Sequence, residues 1–122
     1  MNDARNNLFE NVMAFCNKDE KKAKDLFLLI QKTIDEDYTA LKFLHPKNDS
    51  VAIAKMMNRV LFSLSILKEK QVLDSAHIID EKLQRKDLIA ENLYALFISE
   101  LAQLNDMLNK ESSNDTAGKK KN

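Results

Sequence analysis

The residues of this chain with chemistry to offer are two histidines, one cysteine, a run of three acids and two tyrosines. His45 precedes Pro46 in a turn-like stretch, and His77 sits off the line of Ala76, Ile79 and Leu83 in an amphipathic segment. A whole helical segment separates the two, so their spacing defines no shared site. His45 reads as a loop residue or helix-end cap and His77 as a surface residue. A phosphotransfer enzyme would have to carry phosphohistidine on one of them. Asp35, Glu36 and Asp37 are consecutive and point in different directions around a helix. They cannot converge on a metal and read as a solvated charge run. Cys16 stands alone, which excludes an intramolecular disulfide and thiolate clusters; its place in an apolar stripe makes it core filler. Tyr38 follows the acids, and Tyr94 lies among Leu93, Phe97 and Ile98, without the adjacent positive charge that base stacking uses. Phosphate loops, zinc spacings and nucleophile elbows need glycines, cysteines or paired histidines this sequence lacks. No catalytic residue, metal or cofactor is expected.

The elements that carry these residues are helices. Gly118 is the only glycine and Pro46 the only proline, so the tight turns of a hairpin-built sheet are missing. Apolar residues recur at helical spacing in five segments. The first runs from about Asp3 to Cys16, with Leu8, Phe9, Val12, Phe15 and Cys16 on one face. Asp19 is placed to cap the second, which carries Ala23, Phe27, Ile30, Ile34, Tyr38, Leu41 and Leu44. A turn at His45 to Asp49 follows, with Asp49 or Ser50 available to cap the third segment, Val51 to about Lys68. A fourth spans about Val72 to Arg85. Asp87 is placed to cap the fifth, which reaches about Asn109 with Leu93, Phe97, Leu101, Leu104 and Leu108 inward. Residues 111–122 hold no large apolar side chain and are expected to be a disordered polar and basic tail on a domain of residues 1–110.

Composition sets the outer limits. A chain of 122 residues, 44% hydrophobic and 31% charged, is one globular domain able to fold without disulfides or metal. Nineteen basic residues balance nineteen acidic ones, which removes any bulk attraction to nucleic acid or anionic membrane. No stretch approaches the roughly 20 apolar residues of a membrane span. The opening Met1-Asn2-Asp3-Ala4-Arg5 lacks the layout of a signal peptide, so a cytoplasmic protein is expected.

The third segment is the most informative. Ile53, Met57, Val60, Leu64 and Leu67 cluster in one direction, and Asn58, Phe62 and Ile66 fall opposite them, flanked by Lys55 and Arg59. Phe and Ile one turn apart on a face that should be wet cost solubility. Either the fifth element or the amino-terminal helix covers that face, or it meets a partner.

Read in order, the segments resemble the histidine-phosphotransfer (HPt) domain of bacterial phosphorelays, whose signature is similar to Ala-His-Arg-Leu-Lys-Gly-Ser. The matching run is Met57-Asn58-Arg59-Val60-Leu61-Phe62-Ser63, with Leu67 at family-like spacing and Ile79-Asp80 in place of a Leu-Glu pair. Asp25-Leu26-Phe27 to Leu41 is similar to the second HPt helix, and Asn48-Asp49 to its Gly-Asp turn. The resemblance covers about residues 20 to 109. It implies an all-α fold, an antiparallel four-helix bundle with an additional short N-terminal helix. Asn58 stands where the phosphoacceptor would be, Leu61 where the lysine would be and Phe62 where the glycine would be. An amide has no nucleophilic ring nitrogen, and losing the lysine removes a charge that favours phosphoryl oxygens. The resemblance therefore implies a degenerate member: a non-catalytic interaction module that docks on a receiver or histidine-kinase domain through Lys55, Asn58, Arg59, Phe62 and Ile66. A small helical inhibitor of the bacteriocin-immunity kind is the competing expectation. Neither binds nucleic acid or inserts into a membrane.

Overall fold

The computed structural model describes the backbone of residues 6–121 and the side chains of residues 8–111. It is all helical, with no strand among the described residues. The elements are α1 (Asn6–Phe15), α2 (Glu20–Leu41), α3 (Ser50–Leu67), α4 (Lys70–Gln84) and α5 (Glu91–Lys121). The expected start of the first helix at Asp3 lies outside the described residues.

Local chemistry sets the boundaries. Asp19 caps α2 as expected, its carboxylate accepting from the Lys22 N–H at 3.1 Å. α2 stops at Leu41, short of the expected Leu44. Its last turn tightens, with Phe43 N–H donating to Ala40 O and Leu44 N–H to Leu41 O. Pro46 holds His45 away from helical geometry and forces that end. Asp49 sits at the α3 N-cap but makes no side-chain cap; its Oδ2 accepts from the His45 N–H at 2.7 Å instead, which locks the turn. α3 ends on Lys68 in the left-handed region, φ 58°, where glycine is the usual residue.

One expectation needs correcting. Asp87 does not cap α5: its N–H donates to Lys82 O at 2.8 Å, next to a left-handed Lys86, and so closes α4. α5 begins later, with Tyr94 N–H donating to Ala90 O. At the other end, the α5 backbone continues helically to Lys121 through the segment expected as a disordered tail. Nothing before Gly118 stops a helix there. The side chains of residues 112–122 lie outside the description.

The helices form a bundle. α2, α3, α4 and α5 each pack on the next, α5 packs back on α2, and α1 lies against α2 and α3. All five stripe residues of α3 (Ile53, Met57, Val60, Leu64 and Leu67) are fully buried, with Leu8, Val12, Ile34, Leu41, Ile79, Phe97, Leu101 and Leu108. By length and composition α3 is the one helix among the described residues apolar enough to cross a membrane, with mean hydropathy 1.4 over 18 residues. That corrects the expectation that no segment approaches a span. A core helix passes the same test, and this one supplies the centre of the core.

Polar pairs fix the register. Gln31 Nε2 donates to Asn109 Oδ1 at 2.6 Å and Asn105 Nδ2 to Asp35 Oδ1 at 3.0 Å, so α2 and α5 run antiparallel. Ser75 Oγ donates to Glu100 Oε1 at 2.6 Å between α4 and α5. The buried Tyr94 hydroxyl donates to the Leu41 carbonyl at 2.7 Å, a second bond to the oxygen that the Leu44 N–H already reaches.

Burial, and secondarily the Asp49 charge, push the Tyr94 phenol up to about 12. The unfolded phenol ionises near 10. This stability is therefore whole below about pH 10 and is lost as pH rises to about 12, at roughly 1.4 kcal/mol per unit. Tyr94→Phe should cost about 1 kcal/mol at neutral pH. It should also flatten the fall in melting temperature across that alkaline window. Parallel wild-type and variant profiles would show that another group titrates.

Candidate functional site

The outer side of α3 carries Lys55, Asn58, Arg59 and Phe62, all exposed. Helical spacing of about 100° per residue sets them opposite the buried stripe, because Val60 and Leu64 must face the core. The Phe62 ring is 58% exposed. It meets Phe15 at the end of α1 edge-on, with centroids 6.4 Å apart and planes at 87°. Phe15, expected in the core stripe of the first helix, is itself 56% exposed. The two rings therefore form one aromatic patch bridging α1 and α3.

Ile66 does not belong to this surface. It is 3% exposed and part of the core. α1 lies alongside the last turns of α3, with Asn11 Nδ2 donating to Leu67 O at 2.7 Å. Of the third segment's apolar outer residues, Ile66 is thus covered within the fold and Phe62 stays open to solvent.

Arg59 is not a free cation on the rim. Its guanidinium grips Asp37 of α2 with a fork of two bonds, Nε donating to Oδ2 at 3.2 Å and the terminal Nη2 to Oδ1. Asp37 is fully buried, so the acid run is not wholly solvated. Asp37 follows Ile30 and Ile34 along the inward line of α2 and needs a partner there, and Asp35 is bonded to Asn105. Hydrogen bonding to Asp37 and then its charge raise the Arg59 pKa above its ordinary value. The fork leaves Lys55 as the cation of this face that forms no ion pair among the described residues.

The remaining candidates do not converge. His45 Nδ1 accepts from the Lys47 N–H at 3.1 Å, and its Nε2 lies 3.3 Å from Glu91, so the ring staples the turn after α2 to the start of α5. His77 is exposed on α4. Cys16 is half-buried against the core, as expected. Tyr94 is core and Tyr38 half-buried, with the Lys42 ammonium 5.0 Å from the Tyr38 ring. No group of three potential metal ligands occurs among the described residues. An open groove of about 370 Å³ between α2 and α5 is walled by Tyr38, Lys42, Glu91, Tyr94 and Ile98. Its side chains do not pair a nucleophile with a base.

Sequence reasoning missed Asp37 and Phe15. The signal for Asp37 was present: it sits at the i+7 position from Ile30, inside the apolar stripe. Phe15 gave none, because a helix-end residue on a stripe is core or edge depending on how the helix is laid. Compared with protein-family models, curated proteins and solved structures, the chain matches none.

Proposed function

We propose that this chain is a non-enzymatic interaction module of the histidine-phosphotransfer type. In this reading α2 to α5 form an antiparallel four-helix bundle with the short α1 laid across it. It docks in the cytoplasm on a receiver or histidine-kinase domain and modulates two-component signalling by occupancy. The observation that carries the reading is the open aromatic pair of Phe15 on α1 and Phe62 on α3, next to Asn58 and Lys55. A large aromatic ring on a helix face, half-held by a neighbouring ring, is the kind of anchor that supplies much of an interface's binding energy. Asn58, one turn before Phe62, occupies the place the resembling family gives its histidine and offers an amide without a nucleophilic nitrogen. Docking without phosphotransfer is what these side chains support.

The test is binding of wild type and Phe62→Asp to a panel of purified receiver and histidine-kinase domains. The variant should bind its partner at least about 2 kcal/mol more weakly, the hot-spot scale. Loss of the Phe15 contact should cost it only about 1 kcal/mol of stability. A panel in which nothing binds wild type, or a partner that binds both proteins alike, would sink the proposal. So would acid-labile phosphate on His45 or His77.

A further inference from the structure

The three most exposed large apolar side chains among the described residues are Phe43 at 78%, Leu88 at 75% and Val51 at 71%. They come from three separate segments that the bonds of His45 bring to one end of the bundle. Phe43 lies two residues before it. Val51 lies two residues after Asp49, whose carboxylate takes the His45 N–H at 2.7 Å. Leu88 lies three residues before Glu91, whose carboxylate is 3.3 Å from the His45 ring. The two links at this end, residues 42–49 and 85–90, carry four cations, Lys42, Lys47, Arg85 and Lys86, against two carboxylates, Asp49 and Asp87, and Glu91 at the start of α5 adds a third carboxylate, turned to His45. All four cations are exposed. Asp49 is turned onto His45, and Lys42 leans over the Phe43 ring at 5.3 Å from its centroid. The other two links, residues 16–19 and 68–69, differ in kind: Lys18 and Lys68 are balanced by Asp19 and Glu69, and no large apolar side chain is present.

Nothing in folding requires a phenylalanine, a leucine and a valine to stand in water where polar turn residues would serve as well. We infer that this end of the bundle adsorbs to an anionic lipid surface. The three apolar side chains enter the headgroup boundary while Lys42, Lys47, Arg85 and Lys86 meet lipid phosphates. Interfacial binding of this kind scales with buried apolar area plus attraction to anionic lipid. Lysine and arginine stems lie along apolar surface while their charges stay wet, which suits a ring of cations around an apolar tip. A protein partner would instead need a continuous complementary surface on the order of 1,000 Å², and separate side chains projecting from two links and a helix start offer none. The inference is independent of the Phe15–Phe62 face.

Co-sedimentation of the full chain with phosphatidylcholine vesicles, with and without phosphatidylserine, tests it. Wild type should partition onto the phosphatidylserine vesicles and lose binding as salt is raised. Phe43→Ser/Leu88→Ser should lower the partition roughly tenfold or more, and Lys47→Glu/Lys86→Glu should lower it as well. Phe62→Ser, which strips the proposed protein-docking face, should leave it unchanged. Melting curves of all three should stay close to wild type, since every altered side chain is exposed. Failure of wild type to sediment with anionic vesicles would overturn the inference, as would a Phe43→Ser/Leu88→Ser protein that partitions like wild type. A tip that instead captured a protein would leave wild type in the vesicle supernatant, the same overturning result.

Discussion

Arg59→Ala is expected to destabilise the fold by about 1–3 kcal/mol, the cost of leaving a buried carboxylate without its donor when the guanidinium that served it faces water. The large effect comes from Asp37. Its carboxylate is fully buried, and Arg59 makes both of its side-chain bonds. Without the guanidinium, α2 holds an uncompensated charge against α3. Arg59→Lys should recover only part of the loss, because an ammonium cannot reproduce the two-bond fork. Asp37→Leu/Arg59→Met removes both charges and should restore most of the stability, since a leucine at the buried position leaves no charge there to solvate. Urea unfolding of the four proteins is the measurement. An Arg59→Ala midpoint equal to wild type would mean that water or another group solvates Asp37.

Val60→Asp is the second large effect. Val60 is fully buried at the centre of α3, and an aspartate there strands an unpaired charge in the core. The cost belongs to the exceptional class above about 4 kcal/mol, enough to unfold a domain of ordinary stability. Phe62→Asp makes the same charge change two positions later on the same helix. Its side chain points to solvent, and only the Phe15 contact is lost. Circular dichroism melts should therefore show one variant unfolded and the other close to wild type. Collapse of both would place Phe62 in the core and remove the docking face.

The helices and their inward stripes were legible because each stripe repeats over several turns. A pattern such as Ile53, Met57, Val60, Leu64 and Leu67 has one helical solution. The sequence was weaker where a residue's fate depends on a neighbouring helix. Ile66 and Phe62 lie four residues apart on α3, yet Ile66 is buried in the core while Phe62, edge-on to Phe15 of α1, stays open. Asp37 looked like one member of a charge run until Arg59 of the next helix claimed it. Asp87 looked like a start signal because Asp is a good N-cap, but the backbone used it to finish the preceding helix. In each case the local signal was real and the deciding contact came from another element.

The pairing of α2 with α5 also bears on how the chain reaches its fold. The bonds that set this register join residues 78 and 70 positions apart, Gln31 with Asn109 and Asp35 with Asn105. The α3–α4 pair is joined by the two-residue link Lys68–Glu69. Loop-closure entropy rises with separation, and contacts close in sequence form ahead of distant ones. The α3–α4 hairpin is thus the element placed to nucleate, and the closing of α5 onto α2 is the late step that completes the core. Contacts absent from a transition state act mainly on the unfolding rate. The amide and carboxylate pairs of the α2–α5 seam therefore govern how long the folded molecule survives more than how fast it forms.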